Sequence, residues 1–127
     1  MANEISATVT LYVKKGGGVV NLGARTHRAT MSGDDTVQAT QVIGTTTEAI
    51  SLGEISGAPR AFFIQNDDVT NFVTLGFTNP PTEMKLRPKS SASSDDGGVA
   101  YFESNTATIY AKADTAACRV VIGAAEA

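Results

Sequence analysis

Tryptophan is absent from this chain of 127 residues, and cysteine and histidine each occur once, as Cys118 and His27. A single cysteine excludes an internal disulfide bond, and one cysteine with one histidine excludes the usual zinc frameworks. Aromatic residues make up only 6% of the chain, so there is little to stack on sugar rings. Charged residues make up only 18%, and the long side chains that favour helices are therefore few. These shortages argue against an all-helical fold.

The charge balance is close to neutral. The formal net charge is -3, which gives no general electrostatic reason to bind nucleic acid or anionic lipid. We therefore expect protein partners, with no nucleic acid and no membrane. The first residues contain no basic segment followed by an apolar run, and no stretch approaches the roughly 20 apolar residues that span a bilayer. We expect synthesis and folding in a cytoplasm, without export by a cleaved signal.

What the chain does have is alternation. From Ile5 to Val13, apolar residues alternate with serine, threonine and tyrosine. A period of two places the two sets on opposite faces of a strand, so that the apolar face can be buried. Gly16, Gly17 and Gly18 then permit a tight turn, and 19–31 is predicted to return as a second strand, broken near Gly23. The pattern predicts a hairpin.

Similar short runs continue to the end of the chain, separated by Gly, Asn, Asp and Pro turns. The predicted strands are 36–46, 48–54, 61–64, 72–77, 84–86, 99–103, 106–113 and 117–124, of which the last two could pair as a hairpin. The runs at 61–64 and 72–77 are the most apolar and are predicted to be central. About nine or ten short strands indicate an all-β fold, a single antiparallel β-sandwich or barrel. Residues 1–127 are treated as one domain, with 1–4 as a short N-terminal arm and 89–98 as a mobile loop.

No residue pattern points to catalysis, to a metal or to a cofactor. Three aspartate pairs begin at Asp34, Asp67 and Asp95, but their spacing matches no calcium loop, and aspartate is also a preferred turn residue. Cys118 lies in an apolar strand, which is typical of a buried, unreactive thiol. No Ser or Cys nucleophile motif accompanies His27, so His27 is not expected to act as a catalytic base. The three glycines lack the Gly-Lys-Ser/Thr ending of a phosphate loop. We expect a protein that is not an enzyme.

The middle of the chain resembles a known group. Phe63-Ile64-Gln65-Asn66-Asp67-Asp68 is followed by Thr70-Asn71-Phe72-Val73 and Leu75-Gly76, then by Lys85-Leu86-Arg87-Pro88 and Ile109-Tyr110-Ala111-Lys112-Ala113. In this order the motifs are similar to those of small virion structural proteins of tailed bacteriophages. The resemblance covers about 50–124. It departs at Lys89, where the group often has Gly, and in the longer, more polar 90–98 segment.

The resemblance implies a jelly-roll-like sandwich, a place in a virion made in the host bacterial cytoplasm, and contacts with major capsid or other virion proteins. It favours a capsid decoration protein that cements the head shell as a homo-oligomer, such as a trimer, over a neck, tail or fibre component. A receptor- or carbohydrate-binding module is the other alternative, with 67–71 and 90–98 as its contact surface. The predicted interaction residues are Met1, Ala2, Asn3, Glu4, Asn66, Asp67, Asp68 and Asn71.

Overall fold

The computed structural model describes residues 4–127, and all regular structure in that range is β-strand. The strands are β1 (Ile5–Lys15), β2 (Gly18–Ala29), β3 (Thr36–Ile43), β4 (Glu48–Ala49), β5 (Ala61–Asn66), β6 (Val73–Gly76), β7 (Met84–Leu86), β8 (Val99–Phe102), β9 (Tyr110–Ala113) and β10 (Cys118–Ala125). Every pairing among them is antiparallel. The predicted all-β class is confirmed. Within the described range, the structure has no helix long and apolar enough to cross a membrane.

The chain divides into two compact units, the first ending at Ser32 and the second running from Gly33 to Ala127. The first unit is the hairpin of β1 and β2, as the alternation and the glycines predicted. Gly16 and Gly17 turn the chain with φ angles of 63° and 83°, a region that favours glycine. The register shifts between Leu11 and Tyr12, opposite Gly23, where a break in the second strand was predicted. The division at Ser32 was not predicted, because the whole chain was treated as one domain.

The second unit is an antiparallel β-sandwich of two four-stranded sheets. One sheet has the order β3, β10, β5, β8 and is called here the front sheet; the other has the order β4, β9, β6, β7 and is called the back sheet. The apolar runs predicted to be central are β5 and β6, and each lies inside its sheet rather than at an edge.

The strand pairs of the sandwich are nested. β6 pairs with β7, β5 with β8, β4 with β9 and β3 with β10. The eight strands therefore pair as one long antiparallel hairpin would, with its closed end at the β6–β7 turn. Two further pairings, of β10 with β5 and of β6 with β9, join these pairs into the two sheets.

The core of the sandwich lies between the inner faces of the two sheets. It is built from aliphatic residues, one phenylalanine and one cysteine, as the composition requires: Ile43, Ile50, Leu52, Phe62, Ile64, Val73, Leu75, Leu86, Ile109, Ala111, Ala113, Cys118, Val120, Ile122 and Ala124. In β10 the buried positions recur at every second residue. Burial in that strand therefore alternates between an inner and an outer face, although Val121 and Ala125 on the outer face are apolar too.

Two expectations about the strands are wrong. The last two strands do not form a hairpin, because β9 lies in the back sheet and β10 in the front sheet. The strand predicted at 48–54 is only two residues long, although Ile50 and Leu52 are both buried as expected. In both places the apolar pattern located the buried side chains correctly, but strand pairing depends on partners distant in the sequence.

Candidate functional site

The most exposed apolar surface of the molecule is on the hairpin. In β1 and β2 only the paired residues Ile5 and Ala29 are buried. The large apolar side chains that remain exposed in this unit are Val9, Leu11, Tyr12, Val13, Val19, Val20 and Leu22, at 45–62% of their full accessibility. Soluble proteins seldom leave so many apolar neighbours uncovered, and such surfaces mark sites of interaction. The hairpin is therefore the leading candidate for a functional surface.

The register of the hairpin places several of these side chains on one face. Val9, Leu11 and Val13 alternate along β1 and so point to the same side, and Val20 is directly opposite Val13. We call Val9, Leu11, Val13 and Val20 the apolar stripe. The other face is more polar: Thr8 and Thr26 are paired there, and their hydroxyl oxygens are 3.2 Å apart in a hydrogen bond. The face predicted to be buried is thus half-buried at Ala7 and exposed from Val9 onward.

The hairpin is also the basic part of the molecule. Up to residue 32 the chain has four basic residues and one acidic residue, a net charge of +3; from Gly33 onward it has six basic and twelve acidic residues, a net charge of -6. The basic residues of the hairpin are Lys14, Lys15, Arg25 and Arg28. The overall value of -3 hides this separation. An electrostatic preference of the hairpin for acidic surfaces follows from it.

A second exposed apolar surface lies on the outer face of the front sheet. Phe63 is opposite Gly123, and its ring occupies the space that a Cβ at Gly123 would fill. Val42 and Val99, on the two edge strands, are each 62% exposed, and the half-buried Val121 lies between them on β10. The outer face therefore carries apolar side chains across its whole width.

Asp67 forms the main ion-pair centre of the sandwich. Its Oδ1 accepts a hydrogen bond of 2.6 Å from Lys89 Nζ, and its Oδ2 accepts bonds of 2.6 Å and 2.9 Å from Nη2 and Nε of Arg119. The hydrogen bond from Lys89, followed by those from Arg119, lowers the pKa of the Asp67 carboxyl below its usual value. Lys89 is buried, with a side chain only 8% exposed. Lys89, which stands where the similar phage proteins often have Gly, thus has a structural partner.

The other residues predicted at this link bind the backbone around them. Asn66 is buried, and its Nδ2 donates to the carbonyl oxygens of Asn71 and Leu86, each at 2.9 Å. Asp68 Oδ2 accepts from the Asn71 amide at 2.7 Å, and Asn71 Oδ1 accepts from the Thr115 hydroxyl at 2.6 Å. These contacts give Asn66, Asp68 and Asn71 a structural role. Their part in binding a partner stays a prediction.

The predicted N-terminal arm is described only in part. Met1, Ala2 and Asn3 lie outside the described residues. Glu4 is exposed, and its Oε1 accepts a hydrogen bond of 3.2 Å from the Met31 amide, beside the base of the hairpin. The role of 1–4 in gripping a partner stays a prediction.

The segment predicted as a mobile loop is held by many hydrogen bonds. Asp96 accepts from the Ser90 amide at 2.9 Å and from the hydroxyls of Ser90 and Ser94 at 2.6 Å and 2.7 Å, and these bonds lower its pKa. Gln65 Nε2 donates to the Gly97 carbonyl, and Lys89 Nζ donates to the Ala92 carbonyl. The segment is therefore joined to the sandwich at several points, and its mobility stays a prediction.

The remaining chemistry-bearing residues occupy structural positions. Cys118 is fully buried in the core, and burial raises the pKa of its thiol to about 11, so little thiolate exists at neutral pH. His27 is half-buried in the hairpin, opposite Ala7. Across 4–127, no group of three or more His, Cys, Asp or Glu residues is placed to hold a metal ion.

Sequence reasoning missed the importance of the apolar stripe and of the basic hairpin. Two signals for them were present. Val19, Val20 and Leu22 break the alternation in the second strand, so that apolar residues fall on both faces of the hairpin. The separation of charge at residue 32 was visible as well, but only when the two parts of the chain are counted separately.

Comparison of the chain with models of protein families, with curated proteins and with solved structures gave no match.

Proposed function

We propose that this protein is a non-enzymatic structural component of a tailed-bacteriophage virion, most specifically a capsid decoration protein that stabilises the head shell. The observation that carries an assembly role is the hairpin, with seven large apolar side chains exposed on a two-stranded unit. A lone two-stranded hairpin is at best marginally stable in water. Covering its apolar faces with a neighbouring protein would stabilise it and supply binding energy at the same time.

The sandwich supports the same proposal. Its nested strand pairs are those of one long hairpin wound into two sheets, which favours a jelly-roll form, an architecture used by viral capsid proteins. The sequence resemblance to phage virion proteins covers this part of the chain. Many copies on one shell would then combine weak contacts through multivalency.

The first experiment compares particles that carry the protein with particles that lack it. The proposal predicts that particles without it lose their integrity at lower temperature or in low salt, and that adding the purified protein restores them. Leu11→Asp should restore them poorly, because it places a charge in the apolar stripe. Thr10→Asp, which introduces the same charge on the opposite face of β1, is the matched control. Equal stability with and without the protein would contradict a cementing role.

Electron microscopy of particles carrying a labelled protein separates the positions within the virion. Label across the head lattice is expected for a decoration protein. Label confined to the collar, tail or fibres would instead support the alternative of a neck, tail or fibre component.

A receptor- or carbohydrate-binding module is a second candidate, favoured by one observation. The two segments proposed as its contact surface are adjacent, because Lys89 Nζ donates both to Asp67 Oδ1 in one and to the Ala92 carbonyl in the other. Binding of the isolated protein to members of a glycan array, lost on Asp95→Ala, would support this candidate. If the protein binds no glycan on the array, and if particles that lack the protein are less stable in the first experiment, the decoration role is favoured.

A further inference from the structure

The partner of the hairpin can be inferred from charge and apolar surface together. The hairpin presents an apolar stripe and a net charge of +3, and its two lysines, Lys14 and Lys15, lie at its turn. A matching partner needs an apolar face that ends in an acidic region. An acidic region alone would attract the lysines but would leave the stripe uncovered, and an apolar face alone would not use the charge.

The front sheet of the sandwich has both properties. Its outer face carries Val42, Phe63, Val99 and Val121, and the two valines on the edge strands are the most exposed. β5 ends, and β8 and β10 begin, at the same end of this sheet, because Asn66 pairs with Val120 and Gln65 pairs with Val99. β3 ends there as well, because Ile43 pairs with Cys118, so four connecting loops can meet at this end of the outer face.

Together those loops carry a net charge of -3, because their five aspartates outnumber Arg87 and Lys89. Five aspartates lie in the connections that meet at this end of the front sheet: Asp67, Asp68, Asp95, Asp96 and Asp114. The Asp67 amide donates to the Arg119 carbonyl, and the Gln65 side chain donates to the Asp95 carbonyl, which places both loops beside the sheet. Lys89 and Arg119 are both held by Asp67. The side chains of Asp95 and Asp114 are exposed and form no ion pair among the described residues.

The dimensions also agree. At about 3.3 Å per residue, the 11 residues of β1 extend roughly 36 Å, and the 8 residues of β10 extend roughly 26 Å. A hairpin lying along the front sheet would therefore span its outer face and carry the lysines at its turn beyond the last residue of the sheet, where the aspartates are.

We propose that the hairpin of one copy of this protein packs on the outer face of the front sheet of a second copy, with Lys14 and Lys15 against the aspartates at its end. The inference deepens the proposed assembly role, on which it rests, by naming the partner as a second copy of this chain. Each copy carries one hairpin and one front sheet, so the contact is head-to-tail. Head-to-tail contacts form a closed ring if the rotation between copies permits it.

The first test is sedimentation of the purified full chain over a range of concentrations and salt. The proposal predicts association that increases with concentration and weakens with salt, because salt screens the contacts between lysine and aspartate. Leu11→Asp and Val99→Asp, one on each side of the contact, should each abolish association, whereas Thr10→Asp should leave it unchanged. A chain that is monomeric at every concentration, or association that neither Leu11→Asp nor Val99→Asp weakens, would overturn the proposal.

Charge-reversal variants test which two surfaces are in contact and whether these surfaces belong to different copies. Lys14→Glu with Lys15→Glu should weaken association by about tenfold or more, as should Asp95→Lys with Asp114→Lys, since each creates pairs of like charge. Lys112→Glu, an exposed reversal on the back sheet, is the matched control. When the two charge-reversed proteins are mixed, association should return. Failure of the mixture to associate would contradict contact between copies. The same failure is expected if each hairpin covers the sheet of its own chain.

The result of the association experiments can be distinguished from the result of the particle-stability experiment that tests the proposed function. Protein that stays monomeric alone but binds and stabilises shells overturns this inference and leaves the decoration role standing. Protein that associates through these surfaces but has no effect on particle stability supports the inference and contradicts the decoration role.

Discussion

The hairpin and the front sheet are both antiparallel β-structure, but their strands end in opposite states of burial. In β10 every second residue is buried in the core of the sandwich, whereas in β1 only Ile5 is buried. The reason is that β10 lies between two strands of a sheet that is covered by a second sheet, while β1 has only β2 beside it. Alternation therefore shows that a strand has two different faces, but it does not show that the apolar face has found a partner within the chain.

This difference in burial suggests different roles for the two units. The sandwich covers its own apolar residues and should fold without help. The hairpin gains little apolar burial from its own fold and depends on what it contacts. Changes in the sandwich should therefore alter the stability of the chain itself, and changes in the hairpin should alter assembly.

Truncation of a core residue is expected to have the largest effect. Phe62 is fully buried and its ring contacts that of Phe102 at 5.2 Å between centroids, so Phe62→Ala should lower the free energy of unfolding by about 4 kcal/mol. Leu11→Ala, in the apolar stripe, should change it by less than about 0.5 kcal/mol in dilute solution. Urea unfolding of both variants measures the contrast. Equal losses would show that the hairpin is part of the folded core.

The Asp67 centre should come next. Asp67→Ala leaves the buried Lys89 ammonium without its carboxylate, and we expect a loss of about 3 kcal/mol. Lys89→Met added to Asp67→Ala should recover part of this loss, because it removes the unpaired charge. Urea unfolding of the single and double variants tests the reason as well as the size. A double variant less stable than Asp67→Ala would show that the buried charge is not the cause of the loss.

The same centre should make the sandwich sensitive to acid. The pKa of Asp67 in the folded protein is below the value of about 3.9 expected in the unfolded chain, so its contribution is complete above that value and is lost as the pH falls through the folded pKa. The stability difference between the original protein and Asp67→Asn should be constant near neutral pH and should shrink below about pH 4. Thermal unfolding at a series of pH values measures it. A difference that grows as the pH falls would contradict this sign.

Removal of a single hydroxyl gives the smallest expected contrast. Ser104 is buried, and its hydroxyl donates to the Thr106 carbonyl at 2.7 Å, so Ser104→Ala should cost about 1 kcal/mol. Thr8→Val removes the exposed hydrogen bond to Thr26 from the hairpin and should change the free energy of unfolding by less than about 0.5 kcal/mol. Thermal unfolding of the two variants is the measurement. A larger loss for Thr8→Val would show that the hairpin contributes to stability as the sandwich does.

The sequence was sufficient for local structure and insufficient for pairing over a distance. The first hairpin, the irregularity at Gly23 and the inner positions of β5 and β6 followed from turn residues and apolar runs. The placement of β9 and β10 in different sheets did not, because it depends on partners such as β4 and β3 that are far away in the sequence.

The candidate surface shows the same limit. Asn66 and Asp68 stood out in the sequence as polar residues in a link, and the structure shows them bonding to nearby backbone groups. Leu11 stood out as a residue to bury, and the structure shows it 58% exposed. Whether a side chain is satisfied within the chain or available to a partner depends on tertiary neighbours that a pattern in the sequence does not contain.

Amide hydrogen exchange of the full chain, measured first at high dilution and then in the assembled state, tests the difference between hairpin and sandwich most directly. We expect the amides of β5 and β10 to be protected in both states, and those of β1 and β2 to exchange rapidly when dilute and to become protected on assembly. Hairpin amides as well protected in the dilute protein as those of β5 and β10 would contradict this expectation.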